Sequence, residues 1–243
     1  MTLTSFRTAL SSLIRGRDGA TREDRNARNL ILSGAWLGFI DGGIATYLSV
    51  WLVRLGATPA MMGLLASLPQ LVNMVAVLPA GAWVERQKDH VGVTNRVALV
   101  TRSGYLLMAA LPFFLAPEET PMAAITLWSL VAIPGAAFFP ALMAVIQQAV
   151  PPQMRARVNA NRWALYSIVG ALAIPAIGAM IDHTPFPVGY QLAFAISFFG
   201  SLPSLFFFRR IVLSPFEAAS TPGAERTALR ARLSAFVRPF VES

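Results

Sequence analysis

Long apolar stretches, separated by short polar segments, fill most of this chain. A helix needs roughly 20 predominantly apolar residues to cross about 30 Å of hydrocarbon, and six stretches have about that length. The pattern therefore predicts an all-α membrane protein with six transmembrane helices. The predicted spans are Leu30–Val53, Ala60–Val84, Val97–Ala116, Met122–Val150, Trp163–Ile181 and Tyr190–Phe208.

The composition also indicates a membrane protein. Of the 243 residues, 55% are apolar and 13% are charged, and the mean hydropathy is +0.56, whereas a soluble domain carries about a quarter charged residues. The chain has no cysteine, and its two histidines, His90 and His183, fall in different predicted loops, so neither a metal nor a cofactor is predicted. The sequence has no Walker A loop, nucleophile elbow or H-E-x-x-H helix, so we predict that the protein is not an enzyme.

Positive charge is concentrated on one side of the predicted spans. Arginines occur before span one, between spans two and three, between spans four and five, and after span six. The segments on the other side contain one arginine, Arg54, and the acidic residues Glu118, Glu119 and Asp182. Because cytoplasmic segments are enriched in Lys and Arg, both termini are predicted to be cytoplasmic, in a multi-pass protein of the plasma (cell inner) membrane. The net charge of +8 is then explained by topology, and nucleic acid is not a predicted partner.

Three segments follow from this pattern. Residues 1–29 are predicted to form a basic cytoplasmic leader, residues 30–210 the six-span bundle, and residues 211–243 a cytoplasmic tail. In the tail, Leu229, Leu233 and Phe236 fall on one helical face beside arginines, which predicts an amphipathic helix. This helix would lie on the membrane surface, cap the bundle or link it to a further domain.

Small residues and prolines predict where helices pack closely. Gly34, Gly38 and Gly42 form two consecutive G-x-x-x-G steps in the first span, and this spacing lets another helix approach. The fifth span carries a comparable set that permits bending as well as close packing. Its members are Gly170, Pro175 and Gly178.

Four polar residues within the spans are candidates for a substrate or ion pathway. Asp41 lies near the middle of the first span, where an unpaired carboxylate costs several kcal/mol and generally marks a functional site. The alternative is an aspartate that caps or hydrogen-bonds a neighbouring helix. Gln70 and Asn73 are three residues apart and share a face of the second span. Arg102 in the third span either extends to the inner interface or neutralises a carboxylate inside the bundle.

Three connecting segments resemble motifs of the major facilitator superfamily. Residues 81–86 read G-A-W-V-E-R and resemble the G-x-x-x-D/E-R start of that family's loop 2–3 signature. Residues 150–158 read V-P-P-Q-M-R-A-R-V and resemble its V-P-x-x-x-R-G/A-R segment after span four. Residues 56–63 resemble its turn between spans one and two. The resemblance covers about residues 29–210.

The resemblance implies two inverted three-helix repeats that form one half of a twelve-span transporter. In that family the first and fourth spans line the central cavity, which makes Asp41 a plausible cavity residue. Glu85, Arg86, Arg155 and Arg157 match the charged positions that latch the two halves on the cytoplasmic side. The resemblance thus implies that these four residues form a cytoplasmic gate.

The sequence also departs from the family pattern. The usual glycine and arginine run after Arg86 is missing, and no arginine precedes Gly135 by four residues. Proton antiport is therefore not predicted.

We predict a secondary-transporter-like protein: a solute permease half that works by alternating access on a small-molecule substrate. Its partners would be the lipid bilayer and a second six-span half, supplied by a homodimer, a partner subunit or a carboxy-terminal half outside this chain. The tail resembles the linker that precedes span seven in the family, which favours the last source. The alternative is a non-transporting scaffold or assembly subunit of a larger membrane complex, which would tolerate Asp41→Asn.

Overall fold

Six long helices make up nearly all of the computed structural model, which describes residues 21–213. Most of the predicted leader and nearly all of the predicted tail, including its amphipathic helix, lie outside the described residues. A 3₁₀ turn, Leu111–Phe113, lies between the third and fourth helices, and no strand occurs within residues 21–213. The helices are α1 (Arg22–Arg54), α2 (Pro59–Glu85), α3 (His90–Ala110), α4 (Thr120–Ala149), α5 (Pro152–Asp182) and α6 (Val188–Arg209).

Five of these helices are long and apolar enough to cross a membrane, as judged by length and composition. The exception among the described helices is α3, whose hydropathy is lowered by Asn95, Arg96 and Arg102. The chain is therefore a multi-pass membrane protein with an all-helical fold. The assignment of α3 as a sixth span remains a prediction.

Two helices begin well before the predicted spans. Helix α1 starts at Arg22 rather than at Leu30, and α5 starts at Pro152 rather than at Trp163. Arginine favours helices in water, so a helix can continue beyond its apolar part into a charged segment. As a result Arg155, Arg157 and Arg162, which the sequence pattern assigns to a loop, lie inside α5.

Local sequence signals explain where several helices begin. The hydroxyl of Thr21 accepts from the Asp24 backbone N–H, and the Asp24 carboxylate accepts from the Thr21 N–H in return, which is a capping box. The hydroxyl of Thr58 caps α2 by accepting from the Met61 N–H, and Asp89 caps α3 by accepting from the Gly92 N–H at 2.8 Å. These caps satisfy backbone donors that have no partner within the helix.

The main packing contacts of the bundle join the first three helices to the last three. Helix α1 packs chiefly against α5 and α6, α4 packs chiefly against α2 and α3, and α3 packs against α6. If α1, α2 and α3 are taken as equivalent to α4, α5 and α6, the contacts of α1 with α5 and α6 correspond to those of α4 with α2 and α3. The bundle therefore consists of two three-helix repeats. Because short connections make successive helices antiparallel and each repeat has an odd number of helices, the second repeat is inverted relative to the first.

An apolar core fills the end of the bundle where α1 finishes. Trp51 and Leu52 of α1, Ile125 of α4 and Phe194 of α6 are all fully buried there. The Trp51 and Phe194 rings meet edge to face with centroids 5.2 Å apart, an arrangement favoured by the ring quadrupoles. Helix α2 packs partly buried side chains such as Met61, Leu65 and Leu68 against this core, and most of its other apolar side chains are exposed.

A buried asparagine joins three chain segments at the opposite end. The Nδ2 atom of Asn26 donates to the carbonyl oxygens of Ala149 at 3.0 Å and Val212 at 2.9 Å. Its Oδ1 accepts from the Val212 N–H at 3.0 Å. Asn26 thereby connects the start of α1, the end of α4 and the segment after α6. Buried polar groups are stable when paired in this way, and the sequence pattern does not single out this residue.

We predict that Asn26→Ala lowers the free energy of unfolding by about 1–3 kcal/mol, because it leaves buried backbone groups without partners. The measurement is denaturant unfolding of the purified chain in detergent micelles. Asn29→Ala is the matched control, since Asn29 makes one long, exposed hydrogen bond of 3.4 Å to the Arg210 carbonyl. Equal stability of the Asn26 and Asn29 variants would contradict this role for Asn26.

Candidate solute cavity

The geometry of the site begins with the close contact between α1 and α5. Gly34, Gly38 and Gly42 face α5, where a Cβ atom would meet the Arg162 side chain, the α5 backbone and Ala173, respectively. At Gly38 the nearest atoms belong to the backbone of α5, and an added Cβ would lie 2.6 Å from the Tyr166 carbonyl oxygen. Only glycine at these positions permits the two backbones to approach so closely.

Helix α1 changes pitch where it passes this contact. Residues Asp41–Ala45 form a π-helical turn, a feature that frequently occurs at functional sites. The Ile44 N–H donates to the Ser197 hydroxyl oxygen on α6 at 2.7 Å, and the Thr46 hydroxyl donates to the Asp41 carbonyl oxygen at 2.6 Å. Side chains thus satisfy backbone groups around the turn, and Asp41 is its first residue.

The Asp41 side chain is half-buried and faces α5. It lies beside Gly170, where an added Cβ would be 3.6 Å from the Asp41 Cβ, in ordinary contact, and its carboxylate interacts with the hydroxyl of Tyr166. Gly178 lies about two helical turns further along α5 and contacts Tyr47. The Tyr47 hydroxyl donates to the Ile174 carbonyl oxygen at 2.7 Å. The glycines of α5 thus accommodate polar side chains of α1.

A cavity of about 240 Å³ lies next to this region, walled by α1, α3, α4 and α5. Its polar lining consists of Thr101, Arg102, Tyr105, Arg162 and Tyr166, and the remaining wall is mostly apolar and aromatic. Phe139 and Trp163 also line it and are 56% and 46% exposed, so they mark its open side. A concave, mainly apolar cavity with a few convergent polar groups is typical of small-molecule sites.

Arg102 lies in the interior of the bundle. It is 3% exposed, so its side chain does not extend to an interface, and its Nη1 donates to the Ser201 carbonyl oxygen of α6 at 2.9 Å. No carboxylate pairs with it among residues 21–213. Arg102 therefore fixes α3 against α6 and keeps its charge facing the cavity.

Arg162 is the site residue that the sequence pattern misses. It is 6% exposed, packs over Gly34, and its guanidinium lies 5.9 Å from the centre of the Trp163 ring. The loop assignment fails because α5 starts three turns earlier. The signal was available in the consecutive prolines Pro151 and Pro152, since proline is favoured at the first helical position.

Two of the four predicted pathway residues lie away from the cavity. Gln70 and Asn73 are exposed on α2, a helix that contributes nothing to the cavity wall. Arg102 lines the cavity directly, and Asp41 adjoins it through Tyr166. The structure thus brings Asp41 and Arg102 to one region and leaves Gln70 and Asn73 on the outer surface of the described bundle.

The four predicted gate residues lie at the ends of α2 and α5. Glu85, Arg86 and Arg157 are exposed, and no ion pair joins the four within the described part of the chain. Arg155 instead caps the carboxy-terminal end of α4. It donates to the carbonyl oxygens of Gln147 at 2.7 Å and Val150 at 3.1 Å. A cation at this place also interacts favourably with the helix dipole.

These features define an integral membrane protein built from two three-helix repeats around a mainly apolar cavity with a few polar groups. The family model described as Major Facilitator Superfamily matches residues 30–241. The chain belongs to this superfamily, whose members are transporters of small molecules. Comparison with curated proteins gives no significant match.

We predict that Gly38→Ala destabilises the protein by about 1–3 kcal/mol, the usual effect of overpacking a tight contact. An added Cβ would overlap backbone atoms of Tyr166 and Gly170, which cannot rotate away as a side chain can. Gly81→Ala is the matched control, because a Cβ at this helical glycine of α2 meets nothing within 4 Å. Thermal unfolding in micelles measures both, and equal loss in the two variants would contradict the close α1–α5 contact.

Proposed function

We propose that the chain is a solute permease half that moves a small molecule across the membrane by alternating access, together with a second six-helix unit. The observation that carries the proposal is the cavity walled by α1, α3, α4 and α5. It draws helices from both three-helix repeats of a major facilitator superfamily chain. Secondary transporters generally bind their substrates where such repeats meet, near the middle of the bilayer.

The open side of the cavity supports the need for a second unit. Phe139 and Trp163 border the cavity and remain largely exposed, so the described helices enclose a solute on one side only. The two halves of this superfamily are related by an axis along the membrane normal, and a second unit in the same orientation would close the site. A homodimer, a partner subunit or further helices of a longer chain would each supply it.

We assign Asp41 to the substrate or ion pathway. The position of Asp41 in the π-helical turn, next to Gly170 and in contact with Tyr166 on α5, supports this assignment. A half-buried carboxylate in a spanning helix is costly unless it has a role. In the same proposal Glu85, Arg86, Arg155 and Arg157 act at the cytoplasmic gate, where ion pairs to the second unit hold one side closed.

The test is solute uptake by proteoliposomes that contain the chain, purified from its own membrane in mild detergent so that any second unit stays bound. Mass spectrometry identifies which compounds of a mixed solute pool accumulate beyond the level in protein-free vesicles. We predict that Asp41→Asn lowers the initial rate at least about tenfold, the effect of losing roughly 1.4 kcal/mol of interaction. Asp182→Asn is the control, because Asp182 is exposed at the end of α5.

The outcomes separate the parts of the proposal. Uptake that survives Asp41→Asn unchanged would show that Asp41 is not in the pathway, while the transport assignment would stand. No uptake of any compound, together with retention in a larger complex on native mass spectrometry, would favour the scaffold function. A native mass of two chains would identify the second unit as another copy of this chain.

A further inference from the structure

Two buried arginines face the same space in the bundle. Arg102 comes from α3 and Arg162 from α5, and both line the main cavity of about 240 Å³. Both also line a small adjoining space of about 10 Å³, so they lie on a shared wall between the two. They approach from different three-helix repeats, and their side chains are 3% and 6% exposed.

The positive charge of this pair has no acidic counterpart. Neither cavity is lined by an aspartate or a glutamate, and within residues 21–213 no carboxylate pairs with either arginine. Among the described residues, the acid in the middle of a spanning helix is Asp41, and it interacts with Tyr166 instead. A buried charge without a partner is strongly unfavourable in a protein interior, and guanidinium groups remain protonated at neutral pH.

The two guanidinium groups also retain unused hydrogen-bond donors. Arg102 uses Nη1 to bind the Ser201 carbonyl oxygen, which leaves its other donors available. For Arg162 the described part of the chain shows no hydrogen-bond acceptor, and its guanidinium lies 5.9 Å from the centre of the Trp163 ring. Guanidinium donors match the geometry of carboxylate and phosphate oxygens and bind them through paired, charge-assisted bonds.

We propose that Arg102 and Arg162 form an oxyanion site, and that the solute of this transporter is a small organic anion with a carboxylate or phosphate group. The inference rests on the proposed function, because it takes this cavity as the solute site. The anionic group meets the two arginines, and the aromatic wall formed by Phe138, Phe139 and Trp163 contacts an apolar body. The solute thus supplies the negative charge that the protein lacks at this place.

The probes are benzoate, benzamide and benzylamine, which have nearly the same shape and carry negative, neutral and positive groups. Isothermal titration calorimetry of the purified chain in micelles measures binding, and phenyl phosphate tests the phosphate form of the same chemistry. We expect benzoate or phenyl phosphate to bind at least about tenfold more tightly than benzamide, which corresponds to roughly 1.4 kcal/mol. We expect benzylamine not to bind.

Variants assign the preference to the two arginines. Arg162→Gln should abolish the difference between benzoate and benzamide, and Arg162→Lys should retain part of it, because the lysine keeps the charge but loses the paired donors. Arg102→Gln should act in the same direction. Arg54→Gln is the matched control, because Arg54 donates to the Tyr190 hydroxyl and lines neither cavity. If a glutamine variant fails to fold, the probe series on the unaltered chain and Arg162→Lys still decide.

Several results would overturn the proposal. These are equal affinity for benzoate and benzamide, a preference for benzylamine, or no binding of either anion at millimolar concentration. A retained anionic lipid on native mass spectrometry that benzoate does not displace would show that the site takes a lipid headgroup instead of a solute. Anion binding without uptake would leave the oxyanion site in place and remove the transport function, whereas uptake of neutral or cationic solutes alone would do the reverse.

Discussion

The contact between α1 and α5 is the constraint on which the rest of this bundle depends. Without side chains at Gly34, Gly38 and Gly42, α1 lies directly against the backbone of α5. These helices belong to different three-helix repeats, so their contact joins the two repeats into one body. The same contact sets the site. It places Arg162 over Gly34, and it brings the π-helical turn at Asp41 opposite Gly170 and Tyr166. In lipid, where apolar side chains gain little by leaving the solvent, such close packing is a main source of helix association.

Much of the helical architecture could be predicted from the sequence, because the length of an apolar stretch reports on the membrane directly. The boundaries could not. The length of an apolar stretch gives no information about a helix that continues into a charged segment. The pattern therefore assigns Arg162 to a loop, although it lies within α5 and is buried. For α3, the polar residues that lower its hydropathy include Arg102, a residue of the cavity wall. The helix whose hydropathy departs from that of the other spans is therefore one that supplies a charged residue to the cavity wall.

The site itself was predictable only in part, since spacing along one helix gives a face but not the neighbour of that face. Gln70 and Asn73 do share a face of α2, yet that face is exposed, because the partners of α2 lie elsewhere. Asp41 can be recognised as a candidate because a carboxylate near the middle of a span is unusual. Tyr166, its partner on α5, has no such distinguishing feature in the sequence. Asn26 could not be recognised either, because its three hydrogen bonds join segments more than 100 residues apart. Contacts of this kind depend on tertiary structure and leave no local signal.

The exchange of partners between repeats also limits the motions that the proposed transport function can use. The cavity is walled by α1 and α3 from one repeat and by α4 and α5 from the other. The walls are held by the glycine contact of α1 with α5 and by the hydrogen bond from Arg102 of α3 to Ser201 of α6. Separating them inside this unit would break both contacts, along with the buried core around Trp51 and Phe194. Packed interfaces of this kind move as rigid bodies rather than deform gradually. For the proposed transport function, the physically cheaper motion is a rotation of the whole six-helix unit against a second unit, which carries the cavity and its two buried arginines along unchanged.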